Sequence, residues 1–178
     1  MMGAASIVEV GVPAASVQHQ RLAGADFADG YQARDPQPQA SAMQTWLDMV
    51  ARTPRWTNEL MAVRNRLVRL VGLKDLGHIG DLSADMAARD PTSYRCGDRV
   101  GIFEIRHLSD DEVVMGQDDK HLDVQVSLCK RQVSGEPVLQ VSTVVHVHNA
   151  LGHVYMAVIK PFHRRIVRAM LARAIKAS

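Results

Sequence analysis

Four side chains have the types and spacing to do chemistry together: His121, Asp123, His146 and His148. The first two belong to His121 to Lys130 and the last two to Pro137 to His148, stretches in which apolar and polar residues alternate with a period of two. Leu122, Val124, Val126 and Leu128 share one parity of the first stretch, and Leu139, Val141, Thr143, Val145 and Val147 share one parity of the second. The opposite parities are polar: His121, Asp123, Gln125 and Ser127 on one, Gln140, Ser142, His146 and His148 on the other. If two neighbouring antiparallel strands keep their apolar faces together, with Leu122 opposite Val145 or Val147, the histidines and Asp123 come within contact. Three imidazoles and a carboxylate can bind a divalent ion such as zinc or transfer a proton, which points to a metal-dependent or acid/base enzyme. The bland alternative is an outer, solvated face of a sheet, or a contact between copies in a homo-oligomer.

Other chemistries have no foothold. There is no Gly-x-Ser-x-Gly elbow, phosphate-cradling glycine loop or dinucleotide fingerprint, so no cofactor is expected. Cys96 and Cys129 lack metal-ligand spacing, and the absence of a secretion signal favours a reduced, cytoplasmic setting. Glu104 in a strand, and His153 and His163 near the end of the chain, read as outward or edge positions. Should Glu104 or His163 point inward, it would fix the polar end of a ligand, because a buried charge needs a partner.

The elements that position these groups follow from periodicity. With 178 residues, 47% of them hydrophobic, the chain is long enough for one domain, 1–178, with residues 1–22 as a frayed end or short edge strand around Ile7 to Val10. The net charge of +2 is too small to imply nucleic acid, and no apolar run approaches the roughly 20 residues of a transmembrane span. Gly24 to Ala33 reads as a strand closed by Asp35-Pro36-Gln37-Pro38. Ser41 caps a helix to Arg52, and Thr53-Pro54 opens a second that ends at Gly72. Lys74 to Asp98 is a long irregular connection and the candidate lid or entrance.

Four strands follow, Val100 to His107, Glu112 to Gly116, His121 to Lys130 and Pro137 to His148, joined by short polar turns that favour an antiparallel meander. The chain closes with a long amphipathic helix from Asn149, with Leu151, Tyr155, Val158, Phe162, Ile166 and Met170 as its buried stripe. Arg164, Arg165, Arg168, Arg173 and Lys176 form a basic back, too dispersed for a dedicated membrane or partner patch. Pro161 should kink this helix or restart it.

Several strings then resemble a bacterial family carried as domain of unknown function 2867. They are Leu60-Met61-Ala62-Val63-Arg64-Asn65-Arg66-Leu67-Val68 with Gly72-Leu73-Lys74, Gly116-Gln117-Asp118-Asp119-Lys120-His121-Leu122-Asp123, and His148-Asn149 with Lys160-Pro161-Phe162-His163. The order of elements is similar to the START-like helix-grip (SRPBCC) superfamily: α+β, an antiparallel curved sheet gripping a long C-terminal helix, with two short helices before it. That resemblance implies a cavity between sheet and helix for an apolar or lipid-like small molecule. Val124, Val126, Thr143, Val145, Val147, Tyr155, Val158 and Phe162 are its expected lining. The family brings no catalytic residues to carry over.

Overall fold

The long hairpin at the centre is set by local chemistry. Ser134 and Gly135 both take positive φ, 52° and 80°, the geometry of a two-residue turn whose twist matches that of the strands it joins. From that turn β6 (Leu122–Val133) and β7 (Glu136–Val147) pair over twelve positions, with Leu122 opposite Val147 and Val133 opposite Glu136. The computed structural model of the chain describes residues 6–52 and 89–176. Within these, β1 (Val8–Val10), β2 (Phe27–Arg34), β3 (Arg99–Val100), β4 (Phe103–Leu108) and β5 (Glu112–Asp118) complete a curved seven-stranded antiparallel sheet in the order β1-β2-β7-β6-β5-β4-β3. Helix α1 (Ala42–Ala51) and the long helix α2 (Ala150–Lys176) complete the α+β fold.

The meander matches its expected strands with one correction. Val100 to His107 is not one strand, because Gly101 at φ 68° turns the chain back and divides it into β3 and β4. The expected helix from Thr53 to Gly72 lies outside the described residues, as does the connection up to residue 88. The part of the candidate lid that is described is tied down. Arg89 donates to Ser93 and Asp98 and lies over the Tyr94 ring, while Gly97 and Ile105 exchange backbone bonds with β4 and Asp98.

Register places Phe27, Asp29, Tyr31 and Ala33 of β2 beside Val145, Thr143, Val141 and Leu139 of β7, and these beside Val124, Val126, Leu128 and Lys130 of β6. This inner face meets both helices. Tyr31, Leu128, Leu139, Val113, Met115 and Ile105 form the main core with Met43, Trp46 and Met49 of α1 and Val167 and Leu171 of α2. Each aliphatic side chain so buried contributes about 1.5–3 kcal/mol. Lys130 also faces inward, yet its ammonium is fully engaged. It donates to the carbonyls of Gln37 (2.6 Å) and Ala40 and to Thr45 Oγ1, and pairs with Asp35 at 3.3 Å, which fixes the loop into α1.

Asn149 caps α2 as expected, its Oδ1 accepting from the Gly152 backbone at 3.1 Å. The helix runs unbroken through Pro161, which is exposed, as is Ala157, whose carbonyl loses its partner there; solvent can satisfy that carbonyl. The buried stripe, however, is rotated by one residue from the expected one. Gly152, Met156, Val167, Leu171 and Ala174 are buried and His163 is partly so, while Val158 is 43% exposed. Leu151, Tyr155, Phe162, Ile166 and Met170 lie at the half-buried edges. The cause is steric: a Cβ on Gly152 would collide with the His121 carbonyl oxygen and lie 2.7 Å from Val147 Cγ1. A glycine and a histidine carry little hydropathic signal, so periodicity alone turns the helix the wrong way.

Substituting Gly152→Ala is therefore expected to lift the start of α2 off β7 and cost about 1–3 kcal/mol, despite alanine's better helix propensity. Chemical denaturation of the variant checks this, and equal or higher stability than wild type would contradict the seating.

Candidate functional site

Both faces of the sheet carry polar groups, and they differ in kind. On the outer face, Asp123 and His146 are direct register partners, as the alternation required. The face is not left to solvent. The segment before β2 is not frayed: it supplies the short edge strand β1, one of the two expected alternatives, and then a 3-10 helix at Val17–Leu22 that lies across the face as a strap. Gln18, 1% exposed, donates to the Gln125 carbonyl at 2.7 Å and accepts from Ser142 Oγ at 2.7 Å. Glu112 is buried beneath the strap and accepts three hydrogen bonds, from the hydroxyls of Ser16 and Ser127 and the Val17 backbone.

This strap divides the four-residue constellation. Arg21 pairs with Asp123, and its guanidinium also lies 3.5 Å from His146 Nδ1. The other ring nitrogen of His146 is 3.3 Å from the Ala23 carbonyl, so the proton belongs on Nε2 and Nδ1 is left to accept from Arg21. His121 instead meets Asn149 at 3.2 Å, and His148 meets the Asp119 carbonyl at 3.0 Å. Asp123 and His146 thus share Arg21, while His121 and His148 turn to other partners. Among the described residues no group of three or more His, Cys, Asp and Glu side chains is placed to hold a metal ion.

The inner face carries a smaller and more deeply buried polar set. Asp29, 6% exposed, sits on β2 opposite Thr143. His163 reaches in from α2, with its Nε2 3.1 Å from Thr143 Oγ1 and 3.3 Å from Asp29 Oδ1. The Phe27 ring stands edge-on to the imidazole, 5.9 Å between centroids, and the Lys160 ammonium lies 5.2 Å from the centroid of the same Phe27 ring. One nitrogen cannot serve both neighbours fully: a proton on Nε2 supports Asp29, and a lone pair there supports only the Thr143 hydroxyl. Asp29 Oδ2 is buried with no hydrogen-bond partner among the described residues. Burial first, and the charge of Asp29 second, push the pKa of the adjacent Tyr31 hydroxyl above its usual value.

The expected lining spreads along this face. Val145 and Thr143 are buried, and Val124, Val126, Val147, Tyr155 and Phe162 are half-buried. Val124, Val147 and Tyr155 pack on a second apolar cluster of Phe27, Leu122, Val145 and Met156, separate from the main core. Val158 lies outside the sheet-facing stripe. Glu104 faces outward, 3.6 Å from Arg106, as its strand position suggested. His163 does point inward. Asp29 was legible in principle, since Phe27, Asp29, Tyr31 and Ala33 put one carboxylate on an otherwise apolar parity.

The outer face is also where Cys129 lies, its thiol pushed up to about 11 by burial and the negative charge of Glu112, whereas Cys96 is exposed. Because the folded pKa exceeds the unfolded value, folding holds the thiol neutral, and the stability penalty for doing so grows as pH rises through that window. At pH 8 a thiol reagent is expected to titrate one cysteine in the native protein and two after denaturation, read by absorbance. Loss of the strap is expected to be costly as well: Ser16→Ala leaves Glu112 short of a donor and lowers stability by about 1–3 kcal/mol. An unchanged denaturation midpoint would show that the strap contributes nothing.

No curated protein and no solved structure matches the chain. Among the described residues no helix is long and apolar enough to cross a membrane. Residues 21–170 match one family model, and the chain belongs to that family, described as a protein of unknown function (DUF2867).

Proposed function

We propose that the protein is a cytoplasmic, single-domain, START-like helix grip that binds an apolar or lipid-like small molecule between the sheet and the first half of α2. The observation that carries this reading is the uneven coverage of the inner face. β6 is an interior strand, paired on both sides, yet its inward-facing Val124 and Val126 are only half-buried, while Leu128 two residues on is fully buried in the core. An interior strand can be exposed only through its faces, and here the exposure lies on the face α2 overhangs. Half-covered valines, with Val145, Val147, Tyr155 and Phe162 around them and Thr143 among them, are the composition of a small-molecule site: mostly apolar with few polar groups.

The competing reading, a metal-dependent or acid/base enzyme on His121, Asp123, His146 and His148, draws support only from the Asp123 and His146 pair. Asp123 is already committed to Arg21. Contact between copies through the outer face has the same weakness, because the strap occupies much of that face.

Native mass spectrometry of freshly purified protein is expected to show an added small-molecule mass that is lost on denaturation. A Val126→Trp variant, which adds bulk on the half-covered face beside Thr143, is expected to lose that mass while keeping its circular dichroism spectrum. A bare chain mass, together with a Trp variant destabilised by about 1–3 kcal/mol from overpacking, would indicate that there is no room for a ligand.

A further inference from the structure

We propose that Asp29, supported by His163 and Thr143, is the polar anchor of this site, and that it selects an apolar molecule carrying an uncharged hydroxyl group. The inference rests on the binding reading above and adds the chemistry of the ligand's polar end. A single row across the sheet sets the geometry: Asp29 on β2, Thr143 on β7, Val126 on β6 and Met115 on β5 are successive register partners on the inner face. The carboxylate therefore stands at one end of a line of apolar side chains, two strands from the half-buried Val126.

Its surroundings do not satisfy it. An ionised carboxylate offers about four lone-pair positions. His163 supplies one donor, to Oδ1, and among the described residues Oδ2 is buried without any. The fold can satisfy a buried charge, since Lys130 has four partners on the same face, which sets Asp29 Oδ2 apart as an acceptor whose hydrogen bonding the described residues leave incomplete.

The donor's charge is fixed by what stands nearby. Lys160 and the exposed Arg164 and Arg168 of α2 border the same seam, with both arginines close enough to bear on Tyr31. An incoming ammonium would meet three like charges and lose its hydration. A carboxylate would face Asp29 with no proton to give. A hydroxyl donates to Oδ2 at the smallest desolvation cost, and its chain continues along Thr143 and Val126 towards Val124.

Isothermal titration calorimetry at neutral pH with 1-octanol, octylammonium and octanoate tests this on the intact protein. Octanol is expected to bind roughly tenfold tighter than octanoate, the worth of one hydrogen bond to a charged group, and no more weakly than octylammonium. Asp29→Asn, with its fold checked by circular dichroism, is expected to weaken octanol roughly tenfold without weakening octanoate. Octanoate binding as tightly as octanol in the wild type would overturn the anchor, as would octylammonium binding tenfold tighter or an Asp29→Asn variant with full octanol affinity. In those cases the apolar site itself would stand. Failure of all three to bind would remove the binding reading along with the anchor.

Discussion

Covering both faces of the β6 and β7 hairpin is the constraint on which the rest of the structure depends. Twelve paired positions make a surface too broad for one helix to hide, and its two sides differ in chemistry. The inner side, carrying Leu128, Leu139, Val141 and Val145, is covered by apolar material from α1 and α2. The outer side, carrying Gln125, Ser127, Gln140 and Ser142, is covered by a segment that answers in kind, with Ser16, Gln18 and Arg21 supplying hydrogen-bonding groups. Water is displaced from both, by hydrophobic burial on one side and by exchange of hydrogen bonds on the other.

Lys130 and Asp29, both buried on the inner face, show how differently the same sheet treats ions. Lys130 lies where the loop Asp35 to Ala40 folds over it, and each of its protons has somewhere to go. Asp29 lies where α2 approaches, and one imidazole cannot complete it. An incompletely satisfied carboxylate lowers stability, and such groups persist where function uses them.

Much of the fold could be read in advance because it rests on period and punctuation. Alternation in β6 and β7, the Ser134-Gly135 turn and the Asn149 cap are all local signals, and register followed from keeping Leu122 and Val147 on one side. What periodicity could not give was the rotation of α2, which is decided by a glycine too small to register on any hydropathic scale. The strap was hidden for a similar reason. Val17 to Leu22 has little apolar content, and its attachment to Glu112 and Gln125 is made by polar atoms from residues about a hundred positions away. Of the two polar constellations, the one conspicuous in sequence is split, with Asp123 and His146 held by Arg21 and His121 and His148 held elsewhere. The quieter one joins β2 to α2 across 134 residues and emerges only when the chain closes.

The strap also bears on how the family is delimited. The shared segment opens at Arg21, at the last turn of the 3-10 helix, and so omits Ser16 and Gln18; at its other end it stops at residue 170, just short of the fully buried Leu171. A polypeptide trimmed to those limits would retain every strand of the central meander yet leave the Glu112 carboxylate facing solvent and the inner core open at the far end. Sequence similarity marks residues 21–170, and the packing of this chain continues past them at both ends.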